Sequence, residues 1–278
     1  MARTAWPEGK RTGPATVSPA GLDSRVASRH HCAMTSRPLI AAHRGGLFLW
    51  PENSARAFRE SARLAVEQAE CDVHLTADGE VIVMHDATLD RTTDATGPVV
   101  ARSAVELRQV RVRGTDGEAP PTLAEYLAIL APTPVAPRIE IKSDAARRPY
   151  PGIVGRTLSI LDASGQRGRT WIIGFNADTM EEAQAAGGLA GAAWLVEIPT
   201  LMDIGVDGII AVARRIGVAE VGMTTGMLDA AMIARFRAAG LGVGTWGANH
   251  EASIRRTLDL GVDVFATDDP PLAILLRS

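Results

Sequence analysis

Hydrophobic and polar positions alternate regularly between two kinds of segment from Leu39 onward. Short apolar runs typical of buried strands are separated by helix-like segments, such as SARAFRESARLAVEQA at 54–69 and LDAAMIARFRAAG at 228–240. The strand-like runs are LIAAH at 39–43, AECDV at 69–73, RIEIK at 138–142, TWIIGF at 170–175, AAWLV at 192–196, AEVGM at 219–223, VGTW at 243–246 and VFATD at 264–268. This alternation predicts an α/β fold with a parallel sheet, and eight strands predict a TIM (β/α)8 barrel. A doubly wound open sheet is the alternative, but no glycine-rich dinucleotide motif follows the first strand.

One apolar run, VIVMHD at 81–86, comes too soon after the second strand for a helix to intervene. The intervening Asp78-Gly79 is a strong hairpin signal, so this run is predicted to be an antiparallel strand added to the barrel. If Asp78 and Gly79 are the two central turn residues, His85 lies directly opposite Asp72 and shares its face. A three-residue loop would shift this register by one position.

The segment from about 87 to 135 is longer than an ordinary connection in a barrel and ends in a helix-like stretch, LAEYLAIL. It is predicted to be a small insertion over the carboxyl ends of the strands, where long loops often shape access to a site. Residues 1–36 are rich in Pro, Gly, Ser, Thr and Arg without periodicity, so we expect a disordered extension before one domain at 37–278. Met34 is a possible translation start.

Composition excludes several other classes of protein. The formal net charge is −3 and aromatic residues make up 4% of the chain, so neither a basic patch nor a base-stacking surface for nucleic acid is indicated. No apolar stretch is long enough to span a bilayer, and no signal-peptide core follows the basic residues near the start. The two cysteines, Cys32 and Cys71, are not expected to form a disulfide. A cytoplasmic location without stable membrane insertion is therefore expected.

Carboxylates recur at alternate positions on two of the predicted strands. Glu70 and Asp72 share one face of their strand, and Glu140 and Lys142 share a face of the next parallel one. The residues between them are apolar, so the acidic side faces the barrel interior, where a cation would relieve the repulsion. Three carboxylates form an all-oxygen set that favours Mg²⁺ or Ca²⁺ over zinc. Lys142 is either ion-paired with Glu140, bound to a phosphate oxygen, or both.

Two histidines are candidate proton carriers. His43 ends the first strand and precedes Arg44-Gly45-Gly46, a cation and two glycines that let a ligand approach the backbone. His85 becomes a candidate through its predicted position near Asp72. His74, on the face of Glu70 and Asp72, is expected to play a supporting part, and no partner is predicted for His31 or His250.

Two further positions, Glu52 and Trp246, have both a structural and a functional interpretation. Glu52 either orients Arg44 or is a first-turn acid favoured by the helix dipole. Asn53 or Ser54 is expected to cap the first helix. Trp246 either packs in the core or forms a wall for the alcohol part of a substrate.

The sequence motifs that contain these residues, taken in order along the chain, resemble those of the glycerophosphodiester phosphodiesterase family. This family is part of the phosphatidylinositol-phospholipase-C-like phosphodiesterase superfamily. The resemblance covers the chain from about residue 39 onward. Its motifs are AHRGG at 42–46, PENS at 51–54, ECDVHLTADGEVIVMHDATLDRTT at 70–93, IEIK at 139–142 and LGVDVFATDDP at 260–270.

This resemblance implies a TIM barrel, a divalent metal ion, and hydrolysis of a glycerophosphodiester to sn-glycerol 3-phosphate and an alcohol. It implies that His43 and His85 are the acid/base pair, acting through a cyclic phosphate. By the same resemblance, phosphate is bound by Arg44 and supported by Lys142. The implied metal ligands are Glu70, Asp72 and Glu140.

The chain departs from the family pattern at one position and has an unusual segment at another. Where the family usually has Trp-Thr-Val-Asn, this chain has Trp246-Gly247-Ala248-Asn249. Phe48-Leu49-Trp50 would form an apolar lip beside the site if exposed, which would favour a lysophospholipase D-like activity on lipid substrates. A barrel that binds phosphorylated ligands without catalysis is a further alternative.

Overall fold

A computed structural model describes residues 37–278, so the predictions for 1–36, including His31 and Cys32, lie outside the described residues. Nine strands are described: β1 Leu39–Ala42, β2 Gln68–Leu75, β3 Val81–Val83, β4 Ala136–Ile141, β5 Trp171–Gly174, β6 Gly191–Leu195, β7 Glu220–Thr224, β8 Gly242–Trp246 and β9 Val264–Thr267. The α-helices of the same part of the chain are α1 Ala55–Ser61, α2 Ala104–Leu107, α3 Leu123–Leu130, α4 Ile153–Ala163, α5 Ala177–Ala185, α6 Ile198–Ile216, α7 Ala230–Ala238, α8 Glu251–Leu260 and α9 Pro270–Arg277.

Eight parallel strands close into a ring, because β1 pairs with β9 on one side and with β2 on the other. Strand β3 pairs antiparallel with β2 outside this ring. The predicted TIM barrel with an added hairpin strand is therefore confirmed. Since parallel strands all end at the same edge, the residues after β1, β4, β8 and β9 meet at one mouth.

The core lies between the ring and its helices, where alternate strand residues point outward. Phe58 of α1 packs edge to face on Tyr126 of α3, with ring centroids 4.6 Å apart. Buried Tyr126 also donates a hydrogen bond to the carbonyl of Ala69 on β2, at 2.6 Å. These contacts fix α1 and α3 against the strands that supply the acidic residues.

The first helix is shorter than its sequence pattern predicted, and the structure shows which residue caps its N-terminus. α1 ends at Ser61, because the chain turns through Arg63 and Leu64 before entering β2. Ser54 caps the helix by accepting a hydrogen bond from the Ala57 N–H. Asn53 is therefore not the cap; it has a positive φ of 55° and turns its side chain toward β2.

The insertion after β3 has its own small apolar cluster, which contains Met84, Leu89, Val99, Leu107 and Val110. Its final helix, α3, has the predicted bounds. Among residues 37–278, no helix is both long enough and apolar enough to cross a membrane.

Candidate active site

The first strand ends in a tight turn that presents His43 and Arg44 to the barrel mouth. Gly45 has a φ of 81°, and a Cβ there would lie 2.7 Å from the Cβ of Ala57, so the turn requires glycine. The Nδ1–H of His43 donates to Asp268 at 2.6 Å, which leaves Nε2 free. Burial lowers the pKa of His43, but the bond to Asp268 and the charge of Glu70 raise it above its usual value overall.

Asp268 is a functional candidate that the sequence reasoning missed. It follows β9, and its second carboxylate oxygen accepts a hydrogen bond from the side-chain amide of Asn249 at 2.5 Å. The amide oxygen of Asn249 in turn accepts the Asp268 N–H at 2.9 Å. The two residues thus hold the Asp268 carboxylate in one orientation toward His43. Its sequence signals were an acid at the end of the last strand-like run and a place in the motif LGVDVFATDDP at 260–270.

Three buried carboxylates converge below His43. One oxygen each of Glu70, Asp72 and Glu140 can be chosen so that all three lie within 4.8 Å of one another. The Arg44 N–H donates to Glu70 Oε2 and the Asn53 amide donates to Asp72 Oδ2, both at 2.8 Å.

The remaining oxygens of two of these groups, Glu70 Oε1 and Asp72 Oδ1, are buried without a hydrogen-bond partner. Buried polar atoms are rarely left without a hydrogen bond, so these two oxygens are suited to bind a cation. An all-oxygen set of this size suits Mg²⁺ or Ca²⁺, and the predicted metal residues fit such an ion.

The charges within the acidic cluster are divided unequally. Burial, and then the neighbouring Asp72, raise the pKa of Glu70 to about 8. Burial alone would raise the pKa of Asp72 as well, but Lys142, His85 and Arg44 hold it well below its usual value. Of these two neighbouring groups, Glu70 is therefore the one that retains a proton at neutral pH, while Asp72 is ionised.

Two cations flank the carboxylates. Lys142 Nζ donates to Glu140 at 2.8 Å and lies 3.4 Å from Asp72, and its side chain is 15% exposed. Arg44 donates to Glu52 at 3.0 Å, while its buried Nε has no hydrogen-bond partner. Glu52 therefore orients Arg44, which was one of the two interpretations given for Glu52. Both cations keep capacity to bind an anion entering the cleft.

His85 reaches the site by a different register from the predicted one. The loop between β2 and β3 has three residues, Ala77 to Gly79, and Gly79 adopts a φ of 79°. The pairing therefore shifts by one, and the Met84 N–H, not a group of His85, bonds to the Asp72 carbonyl at 2.9 Å. The prediction that His85 lies opposite Asp72 was wrong. β3 ends at Val83, and the chain that leaves it carries His85 into the cleft.

His74 fixes the backbone at that point. Its Nε2–H donates to the His85 carbonyl at 3.0 Å, and its Nδ1 accepts from the Tyr150 hydroxyl at 2.9 Å. Burial lowers the pKa of His74 to about 4, so the ring is neutral. This geometry is consistent with the predicted supporting part.

A chain of charged groups joins His85 to Arg44. The Nδ1–H of His85 donates to Asp86 at 2.6 Å, and Arg91 binds that carboxylate with its Nε at 2.8 Å. Arg91 also donates twice to Glu52, at 2.7 and 2.8 Å, and Glu52 accepts from Arg44. Asp86 and Arg91 were not selected from the sequence, although Asp86 directly follows His85 and Arg91 lies in the insertion.

The opposite side of the cleft is apolar. Trp246 at the end of β8 and Phe175 after β5 pack edge to face, with centroids 5.5 Å apart, and both line the cleft. Trp246 is thus a wall residue rather than a core residue, and Phe175 is an additional one. The cleft, including its open mouth, has a volume of about 670 Å³. Phe48 and Leu49 are 51% and 44% exposed and line a second depression together with Glu52 and Arg91.

The stability of the metal-free protein should fall as the pH rises from about 5 to 8. Folding raises the pKa of Glu70 from 4.5 to about 8, so in this interval the folded state retains a proton that the unfolded state releases. The raised pKa of His43 acts in the same direction. Each pKa unit corresponds to about 1.4 kcal/mol.

The measurement is the unfolding temperature against pH, with EDTA and with Mg²⁺ or Ca²⁺. A cation that displaces the proton should stabilise the protein more at pH 8 than at pH 5. A Glu70→Gln variant should show a much flatter profile, and an unchanged profile would contradict the assignment of the slope to Glu70.

A closed barrel whose mouth joins three carboxylates, two cations and two imidazoles has the groups that phosphodiester cleavage requires. The model of the glycerophosphoryl diester phosphodiesterase family matches residues 43–272, a span that includes the whole cleft. The chain therefore belongs to this family, and the resemblance stated from its motifs is confirmed.

Individual relatives agree with this assignment. A solved structure from Agrobacterium tumefaciens str. C58, ascribed to the same class of phosphodiesterase, is 36% identical with a TM-score of 0.84, covering 87% of this chain and 97% of its own. A glycerophosphodiester phosphodiesterase of Caldanaerobacter subterraneus subsp. tengcongensis is 27% identical over 86% of this chain and 98% of the relative. An Oleispira antarctica phosphodiesterase in complex with its product sn-glycerol-3-phosphate shares the fold, with 21% identity, a TM-score of 0.76, and coverage of 86% of this chain and 96% of its own.

Proposed function

We propose that this chain hydrolyses glycerophosphodiesters to sn-glycerol 3-phosphate and an alcohol in a reaction that depends on a divalent cation. One observation carries the proposal: His43 and His85, each oriented by its own carboxylate, line the same cleft as the three-carboxylate cluster. Family membership and the names of the relatives support it.

A bound Mg²⁺ or Ca²⁺, held by Glu70, Asp72 and Glu140, would stabilise negative charge that develops on the phosphoryl oxygens. Arg44 and Lys142 lie beside these carboxylates and would bind the same oxygens. These protein groups would thus orient the phosphodiester and offset the negative charge of its oxygens before any bond changes.

The histidines supply the proton transfers. One imidazole takes the proton of the glycerol 2-hydroxyl as its oxygen bonds to phosphorus, and the other protonates the oxygen of the departing alcohol. In the second step water attacks the cyclic phosphate, with the two imidazoles in reversed roles. His43 and His85 suit this exchange because their side chains are 22% and 29% exposed, so protons and alcohol can pass to solvent.

A substrate panel tests the proposal. Glycerophosphocholine and glycerophosphoethanolamine, each assayed with Mg²⁺, Ca²⁺ and Mn²⁺, should release sn-glycerol 3-phosphate, and EDTA should abolish the release. A barrel that only binds phosphorylated ligands would release none with any metal. Release that persists in EDTA would refute the metal dependence alone.

The exposed lip of Phe48 and Leu49 favours a second candidate, lysophospholipase D-like cleavage of lipid substrates. We expect water-soluble diesters to remain the main substrates. Lysophosphatidylcholine in the same panel decides between them. Faster turnover of the lysolipid, lowered by Phe48→Ser, would establish the second candidate.

A further inference from the structure

A tight turn near the start of the insertion holds Arg91 in place. The hydroxyl of Thr93 donates to the Leu89 carbonyl at 2.6 Å, and both of these residues are fully buried. The Thr93 carbonyl accepts a hydrogen bond from the Nε of Arg113 at 2.5 Å, and Leu89 belongs to the small apolar cluster of the insertion. Arg91 lies in the middle of this turn, so the packing of the insertion sets its backbone position.

The guanidinium of Arg91 binds two carboxylates at once. Its Nε and one terminal nitrogen donate to the two oxygens of Asp86, at 2.8 and 2.9 Å. Its two terminal nitrogens donate to the two oxygens of Glu52, at 2.7 and 2.8 Å. The planar guanidinium has its donors in a fixed fork, which matches carboxylates in this way. The hydrogen bonds from Arg91 hold the pKa of Asp86 well below its usual range, so this carboxylate is ionised.

Each of the two carboxylates also holds one residue of the candidate active site. Asp86 accepts the Nδ1–H of His85 at 2.6 Å, and Glu52 accepts from Arg44 at 3.0 Å. His85 and Arg44 both line the cleft, whereas Arg91 lines the second depression beside it. Any effect of Arg91 on the chemistry in the cleft is therefore transmitted through Asp86 and Glu52.

We propose that Arg91 is a positioning residue that sets the orientations of His85 and Arg44 together. This inference rests on the proposed function, in which His85 transfers a proton and Arg44 binds phosphate. Both groups have to face the same phosphoryl group, and a displacement of about 1 Å can lower a rate about 100-fold. One guanidinium that fixes both carboxylates gives His85 and Arg44 a common reference. The insertion therefore contributes to the geometry of the site through Arg91.

The second depression gives this position access to solvent. The depression is lined by Phe48, Leu49 and Val112 as well as by Glu52 and Arg91, and the side chain of Arg91 is 49% exposed. Replacement of Arg91 by alanine would leave a space that opens into the depression, beside the Glu52 carboxylate. Free guanidinium could enter this space and offer the same donors, whereas ammonium has the charge without the planar fork.

Rescue of a truncated variant tests the proposal. Arg91→Ala should lower kcat for glycerophosphocholine about 100-fold. In calorimetric titrations with Mg²⁺ present, it should raise the Kd of inorganic phosphate about tenfold, the usual cost of one misplaced hydrogen bond to a charged group. Millimolar guanidinium should recover part of both losses, and ammonium should recover neither. Arg108→Ala, at an exposed arginine of the same insertion paired with Glu125, is the matched control.

Two further variants separate a positioning role from a purely structural one. Arg91→Lys keeps the charge but lacks the fork, so its kcat and phosphate affinity should remain close to those of Arg91→Ala. Asp86→Ala should lower kcat and leave the Kd of phosphate unchanged, because Arg91 still binds Glu52. Adding Arg91→Ala to Asp86→Ala should lower kcat little further, because Arg91 acts on His85 through that carboxylate.

The other outcomes decide against the proposal. Unchanged kcat and phosphate affinity in Arg91→Ala would overturn it, as would wild-type kcat in Arg91→Lys or a loss that guanidinium does not reduce. If Arg91→Ala does not fold, Arg91→Lys supplies the same two measurements. A wild-type protein that binds phosphate but cleaves no diester would refute the proposed function, and the phosphate affinities of the variants would still decide whether Arg91 positions Arg44.

Discussion

Replacing His43 by alanine should lower kcat for glycerophosphocholine by about 10²–10⁴-fold, the usual contribution of a positioned proton carrier. The variant should still fold, because His43 is a partly exposed residue whose recorded side-chain bond is to Asp268. Circular dichroism and the unfolding temperature test the fold, and steady-state kinetics test the rate. His250→Asn, at a histidine outside the cleft lining, is the matched control.

Asp268→Asn separates positioning from proton transfer in the same pair. The asparagine retains the shape and the contact with Asn249 but removes the carboxylate whose hydrogen bond raises the pKa of His43. The pH profile of kcat/KM should therefore shift toward lower pH on the limb that reports His43. Full activity in His43→Ala would refute the role assigned to this imidazole.

Glu70→Gln should lower the activity by about three orders of magnitude while stabilising the metal-free protein. The carboxylate is buried beside Asp72, its pKa is raised to about 8, and one of its oxygens has no partner. Glutamine keeps an oxygen for the Arg44 N–H but removes the charge that repels Asp72. The loss of several kcal/mol of charge stabilisation by the cation accounts for the loss of rate.

Calorimetry gives both readouts for this variant. In EDTA its unfolding temperature at pH 8 should exceed that of the wild type, at about 2–4 °C for each kcal/mol. Added Mg²⁺ or Ca²⁺ should no longer raise it. Glu60→Gln removes a carboxylate of the helix surface, paired with Arg63, and should change neither property. A Glu70→Gln enzyme that is still stabilised by the cation would show that the ion is held without Glu70.

The alternation of strand and helix predicted the barrel correctly because each buried strand is a local apolar run of the chain. The same local patterns placed β3 outside the ring and fixed the bounds of α3. The predicted hairpin register was wrong because the loop has three residues, with Gly79 as the third and at a positive φ. The dipeptide Asp-Gly does not distinguish such a loop from a two-residue turn.

Site residues were predictable where the alternation of inward and outward side chains along their own strand placed them on the interior face. Glu70, Asp72, Glu140 and Lys142 follow the period of two, and the structure brings them together. Asp268 and Phe175 were missed because their roles come from contacts between residues that are distant in sequence. Asp268 bonds to a residue 225 positions away, and Phe175 gains its place by packing on Trp246. No local pattern reports such distances.

The pairing of β1 with β9 has a consequence for how activity is acquired during refolding. His43 stands at the end of the first strand and Asp268 at the end of the last, so their hydrogen bond joins opposite ends of the barrel sequence. Such contacts of high sequence separation form late, because closing the long intervening loop costs conformational entropy. An oriented His43 therefore arises only in the closed ring, and the first catalytic turnover of a refolding chain marks the moment of ring closure.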